Sequence, residues 1–175
     1  SLTSLFNRRR FEDELYEAHD WVMRHQTEGA LLYIDLDNFK DINDTSGHQT
    51  GDIILRKVTS VLSSITTEID AASHAITARL GSDEFAIIVR HFDKAAAIKL
   101  ARHILDSVFK IKYEHGKINF QLSCSIGIYL FPGMEDNSTE LLSDAIFAVY
   151  QAKLQGRNQF YLFKDKRFLP IFIVQ

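Results

Sequence analysis

The sequence predicts an α+β fold, a central sheet with helices packed on it, and three observations carry that reading. Residues 30–34, ALLYI, form an unbroken apolar run between Gly29 and Asp35, the mark of a strand buried on both faces. Two short apolar segments, 75–80 and 84–89, flank Gly81, Ser82 and Asp83 and read as a hairpin. Around them, stretches with helical periodicity alternate with apolar runs, in the order helix, strand, helix, hairpin, helix, strand, helix, strand.

Taken in order, Phe11, Leu15, Ala18 and Val22 repeat at helical spacing and predict an amphipathic opening helix over 5–25. A polar turn is expected after the ALLYI strand, and helical periodicity resumes over 53–62. Asp93 suits the cap of the next helix, whose Ala-rich body runs through Ile98, Ala101 and Leu105. Residues 118–130 read as β-rich, 139–155 as a helix ended by Gly156, and 160–163 as a last strand. No repeat, low-complexity segment or proline-rich linker precedes Lys164, so one domain is expected over 1–164. The tail, 165–175, contains RFLPIFIVQ and reads as an extra edge strand, the first strand of a further domain, or residues foreign to this one.

A chain of 175 residues with 46% hydrophobic content can bury one substantial core. Its formal net charge of -3 and its 25% charged residues fit neither a basic duplex-wrapping protein nor a disordered acidic tail. No nucleic-acid partner is expected, and an anionic ligand must meet a local positive patch. A lone cysteine, Cys124, excludes a disulfide framework, suits a reducing compartment and is expected inside a strand. No apolar run reaches the roughly 20 residues of a membrane helix, and the opening SLTSLFNRRRF lacks a signal peptide's apolar stretch.

Three constellations are candidates for chemistry. Asp35 and Asp37 sit at i and i+2 at the end of the ALLYI strand and project to one side. Such a pair is either half of a site for a hard cation such as magnesium or a solvated strand end. Gly81 and Ser82 suit a tight primed turn whose backbone a phosphate can approach, and Asp83 and Glu84 follow at once. An ordinary hairpin also carries such acids for solubility. Lys153 and Arg157 lie at and just past the end of the last helix. They either complement its dipole or clamp phosphate.

Taken jointly, these segments resemble one family closely, the GGDEF domains, diguanylate cyclases of bacterial second-messenger signalling. The resemblance spans 2–163 and rests on six matches in order: LTSLFNRR (2–9), YIDLDNFKDIND (33–44), GHQTGD (47–52), RLGSDEF (79–85), SIG (125–127), and YQAK (150–153) with GRN (156–158). It implies a mostly antiparallel five-stranded sheet surrounded by helices, a ferredoxin-like, palm-type nucleotidyl cyclase fold with an extra hairpin.

What the resemblance implies is carried over position by position. Asp35 and Asp83 look like carboxylate ligands of Mg2+ (or Mn2+), with the Leu36 carbonyl completing the set. Asn43 and Asp52 match the residues that read the guanine edge of GTP, a pairing an amide and a carboxylate can make. Lys40, Lys153 and Arg157 look like phosphate contacts, helped by backbone groups of Asn38, Phe39, Gly81 and Ser82. Asp83 and Glu84 are the acidic pair of the catalytic signature, Glu84 in a supporting role. The activity implied is condensation of two GTP into cyclic di-GMP with release of pyrophosphate. Because one domain holds one GTP, it implies a homodimer.

The sequence departs from the family pattern in three places. Ser82 replaces the signature's second glycine, which puts a side chain where nucleotide approaches. Ser4 replaces a usual glycine near the opening helix. Ala72 and Ala75 occupy the positions of the Arg-x-x-Asp product-inhibition motif, so no primary inhibitory site is expected. Two readings follow: an active cyclase, or a non-catalytic GTP-binding module that regulates an attached domain such as a cyclic di-GMP phosphodiesterase. A related cyclase using another nucleotide is a third. Attached sensor or phosphodiesterase domains are expected in the full-length protein, with this domain in the cytoplasm, free or as part of a membrane-anchored sensor.

Overall fold

Gly29–Leu36 forms β1, the middle strand of the sheet, in the computed structural model, which describes residues 5–133 and 138–163. β1 pairs antiparallel with β3 (Glu84–Arg90) on one side and β6 (Cys124–Phe131) on the other. β2 (Ile76–Arg79) extends the sheet beyond β3, and β7 (Gln159–Leu162) runs parallel to β6 at the other edge, giving the order β2-β3-β1-β6-β7. The expected mostly antiparallel five-stranded sheet is thus present.

Period-two alternation along β1 sends its side chains to two cores, which explains the unbroken apolar run. Leu31 and Tyr33 pack with Phe11, Leu15, Ala18 and Val22 of α1 (Arg8–His25) and with Leu141, Ala145 and Val149 of α5 (Ser138–Leu154). Leu32, Ile34 and Leu36 face the opposite layer. That layer holds α3 (His48–Thr67), through Ile54, Val58 and Leu62, and α4 (Lys94–Phe109), through Ala97, Ala101 and Ile104. The side chains of Asn7 and Asp93 cap α1 and α4, accepting hydrogen bonds from the N–H of Arg10 and Ala96. Among the described residues no helix is long and apolar enough to cross a membrane.

α5 lies unusually close to β6. A Cβ added to Gly127 would fall inside the carbonyl oxygen of Ala145 and 2.7 Å from the backbone nitrogen of Val149. Only glycine permits this approach, and it brings the C-terminal end of α5 over the end of β1. Cys124 is fully buried in β6, as expected, and burial pushes its thiol pKa well above the ordinary value.

Three expectations change. The segment read as a polar turn is a helix, α2 (Phe39–Ser46), because Phe39 and Ile42 bury against the core, and α3 begins at His48 instead of 53. The β-rich stretch 118–130 is two strands, β5 (Ile118–Gln121) and β6. The first pairs with an unforeseen β4 (Lys112–His115) in a separate hairpin around Gly116, whose φ is +62°. The opening helix starts at Arg8, since Asn7 supplies the cap. Ser4 and the tail 165–175 lie outside the described residues.

Candidate functional site

The ends of β1 and β3 carry the acids. Asp35 is directly opposite Glu84 across the ladder, so both point to the α1/α5 face. The backbone N–H of Leu36 donates to the carbonyl of Asp83 at 3.0 Å and draws the β2–β3 turn against the end of β1. Asp35 is held in a poor solvent for charge: burial, with Asp83 and Glu84 adding repulsion and Lys153 opposing it, pushes its carboxyl up to about 6. Its Oδ2 meets the Lys153 ammonium at 3.2 Å, while its Oδ1 is buried without a hydrogen-bond partner.

That orphaned oxygen is where the residues can be tested against a divalent cation, and they fit. Asp35, Asp83 and the Leu36 carbonyl offer only hard oxygen donors, and two carboxylates are the number magnesium usually takes beside phosphate and water. No larger cluster of acidic, histidine or cysteine side chains lies among the described residues.

The turn differs from expectation. Neither Gly81 nor Ser82 adopts positive φ, so it is not a primed two-residue turn. The connection spans 80–83, closed by the Leu80 N–H donating to the Glu84 carbonyl at 2.8 Å. Arg79 replaces the left-handed residue as the organising device: Nε donates to the carbonyl of Gly81 at 3.0 Å and Nη2 to that of Ser82 at 2.8 Å. The Ser82 hydroxyl, on an exposed residue, donates to Asp83 Oδ1 at 3.2 Å. Glu84 stands beside the Tyr33 hydroxyl, which Arg8 also approaches. Burial first, then the charge of Glu84, raises the tyrosine above its ordinary pKa. Arg79, Tyr33 and Arg8 were not singled out from sequence, since only the sheet register shows what they touch.

Asp37 does not share a cation site with Asp35 in the way i, i+2 spacing suggests. Its carboxylate accepts from the hydroxyls of Ser123 and Ser125, each at 2.7 Å, and from the N–H of Asn158 at 3.0 Å. The strand ends at Leu36, and Asp37 turns inward under β6 and the α5–β7 turn.

Asn43 on α2 and Asp52 on α3, both partly exposed, lie on two neighbouring helices. The Asn43 Oδ1 is buried and lacks a hydrogen-bond partner, and Gly51 leaves the space it occupies, since a Cβ there would overlap this oxygen. Gly51→Ala is therefore expected to displace the Asn43 amide and weaken binding of a guanine nucleotide about tenfold. The obstructing atom ends a movable side chain, so the thermal midpoint should shift by no more than a few degrees. Calorimetry with 3′-deoxy-GTP, beside thermal unfolding, checks both parts.

The expected phosphate contacts come from three segments. Asn38, with φ 55°, precedes α2, whose first N–H groups at Phe39 and Lys40 lack intrahelical acceptors and can bind an anion. Lys40 is exposed. Arg157, also exposed, lies in a turn with positive φ at Gly156, Arg157 and Asn158, held by the Arg157 N–H on the Ala152 carbonyl at 3.1 Å. Ala72 is exposed in a 3₁₀ turn, Ala71–Ser73, and Ala75 lies between that turn and β2. Neither offers an arginine or an acid.

Comparison with known proteins matches residues 1–159 to the model of the family described as diguanylate cyclase, GGDEF domain. The bifunctional diguanylate cyclase/cyclic di-GMP phosphodiesterase MucR of Pseudomonas aeruginosa is 35% identical over 94% of this chain and 23% of its own. The diguanylate cyclase TpbB of the same species is 38% identical over 90% of this chain and 35% of its own. The chain therefore spans about a quarter to a third of the length of these relatives. Cyclic di-GMP phosphodiesterase PdeR of Escherichia coli is 34% identical over 93% of the chain and 23% of its own. Among solved structures, the isolated GGDEF domain of TpbB superposes with a TM-score of 0.84 at 36% identity, covering 94% of this chain and 93% of that one. The GGDEF domain of DgcB from Caulobacter crescentus, in complex with c-di-GMP, gives 0.84 at 30% identity, covering 94% and 92%.

Proposed function

Because the chain belongs to the GGDEF family of diguanylate cyclase domains, we propose that it binds GTP with magnesium and, paired with a second copy, condenses two GTP into cyclic di-GMP. The observation that supports this reading most directly is two buried oxygens without hydrogen-bond partners at matching positions, Asp35 Oδ1, whose carboxyl also feels the charge of Asp83, and Asn43 Oδ1, packed against Gly51. Asn43 and Asp52 read the guanine edge as acceptors for its N–H groups, with the Asn43 amide as a donor to O6. Lys40, Lys153, Arg157 and the first N–H groups of α2 bind and orient the phosphates. Arg79 keeps the Gly81–Ser82 backbone in place, and Tyr33 orients Glu84 beside the reacting centre.

In the reaction the 3′-hydroxyl of one GTP attacks the α-phosphate of the other and pyrophosphate leaves; the reciprocal step closes the ring. A bound Mg2+ supplies charge neutralisation at the phosphates and eases loss of the attacking hydroxyl's proton. One domain positions one GTP, so two must meet face to face. Lacking arginine and acid at 72 and 75, the domain has no primary product-inhibition site. Availability of GTP supports a cytoplasmic place for the domain, and the longer relatives, one of them a bifunctional cyclase/phosphodiesterase, support attached sensor or phosphodiesterase domains in the whole protein.

The Ser82–Asp83 hydrogen bond supports a second reading, a GTP-binding module that regulates an attached domain, because it occupies an oxygen of the proposed metal ligand. Pyrophosphate release separates the two. The cyclase releases pyrophosphate from GTP and not from ATP, and Ser82→Gly raises the rate by up to about tenfold. A parent that binds GTP but releases none, with activity appearing only in Ser82→Gly, establishes the regulatory module.

A further inference from the structure

Asp37, which i, i+2 spacing pairs with Asp35 either as half of a cation site or as a solvated strand end, is the most completely hydrogen-bonded acid of the site. Asp37, its side chain 1% exposed, has both oxygens occupied by donors from Ser123, Ser125 and Asn158, before β6, within β6, and in the turn that follows α5. Asp35, two residues earlier, has one oxygen without a partner. Lys153 lies between them, 3.2 Å from Asp35 Oδ2 and 3.9 Å from Asp37 Oδ1, with its side chain 23% exposed. The ammonium thus neutralises the carboxylate that a divalent cation must also use. Two positive charges cannot share Asp35 at close range in this partly buried setting without strong repulsion.

We infer that Asp37 is a positioning residue that acts through Lys153, tethering the ammonium on the phosphate side of the site while Asp35 exchanges it for the metal. The inference rests on the metal-and-GTP reading of the site. Asp37 is suited to the role because its hydrogen bonds fix it in place. Asp35 is suited to the exchange because it is held by one partner. The Asn158 bond to Asp37 also fixes the turn that carries Arg157, so the two proposed phosphate cations of this end of the fold are organised by one carboxylate. An acid that merely caps the turn would stabilise the fold equally whether or not Lys153 were charged.

The test is binding of Mn2+ alone, without nucleotide, followed by electron paramagnetic resonance of the free ion. Lys153→Met should bind Mn2+ about tenfold more tightly than the parent, because the competing ammonium is gone, whereas Lys153→Arg should stay within about threefold of it. Asp37→Asn should weaken Mn2+ binding in the parent, where it leaves the ammonium to Asp35 alone. In the Lys153→Met background the same change should cost at least about threefold less. No gain in Lys153→Met, or an equal loss from Asp37→Asn in both backgrounds, overturns the proposal. Thermal unfolding verifies that each variant is folded. In the unaltered protein, Mg2+ alone should shift the Lys153 Cε–Hε resonances, and an unmoved signal at saturating Mg2+ also overturns it. Because no nucleotide is present, a flat Mn2+ series in a protein that binds GTP sinks this proposal only, and the expected series in a protein that ignores GTP sinks the functional reading only.

Discussion

Gly127→Val is expected to lower stability by about 4 kcal/mol, among the largest effects of any single substitution in the chain. The added side chain meets backbone, the Ala145 carbonyl and the Val149 nitrogen, and backbone of a helix cannot step aside as a side-chain tip can. α5 must lift from β6 as a body, opening the contacts of Ala145 and Val149 with Tyr33 and Tyr129. At about 3 °C per kcal/mol for a domain of this size, the thermal midpoint falls by roughly 12 °C. The same movement carries Lys153 away from Asp35. Guanine-nucleotide affinity should therefore fall even at temperatures where the variant is folded. A midpoint within 2 °C of the parent, read by calorimetry, would show that α5 does not pack as described.

Asp83→Ala has the largest expected effect on activity, a loss of about 10³-fold in cyclic di-GMP formation. If the site binds metal and phosphate as proposed, removing one of its two carboxylates forfeits several kcal/mol of transition-state stabilisation, and each 1.4 kcal/mol is tenfold. The fold should tolerate the change. Asp83 is partly exposed, its carbonyl still accepts from the Leu36 N–H, and Arg79 holds the preceding carbonyls. The loss should thus appear in turnover with the unfolding midpoint nearly unchanged. Product formation within tenfold of the parent removes Asp83 from the metal site.

Where sequence pattern and structure agree, the agreement has a simple cause. The ALLYI run is apolar at every position because β1 separates two cores, and the hairpin acids fall at the sheet end because β3 pairs in register with β1. α2 was hidden because FKDINDTS has only two buried apolar residues in eight and is rich in Asn, Asp, Thr and Ser, which favour turns locally. Burial of Phe39 and Ile42 overrides that preference. The β2–β3 turn departs from the primed geometry its residues suggest because its control lies outside it, in the Arg79 guanidinium. Asp37 was paired with Asp35 because the pattern assumes the strand continues, whereas β1 ends at Leu36 and the carboxylate turns toward two serines about 86 to 88 residues away. Such partners are invisible to local periodicity. Asn43, Asp52 and Lys40 become candidates through the family resemblance alone, whereas Arg157 is also a candidate from its place past the last helix. The structure sets Asp35, Asp83 and Lys153 at one end of the sheet and packs Asn43 Oδ1 against Gly51.

With serine in its signature turn, the domain is proposed to make cyclic di-GMP. The most direct measurement is chromatographic quantification of cyclic di-GMP formed from GTP and Mg2+ by the domain fused to a constitutively dimeric helix, so that lack of pairing cannot mask activity. Steady product accumulation is expected from the parent sequence, with two pyrophosphates released per cyclic dinucleotide. GTP bound tightly and recovered unchanged would contradict it.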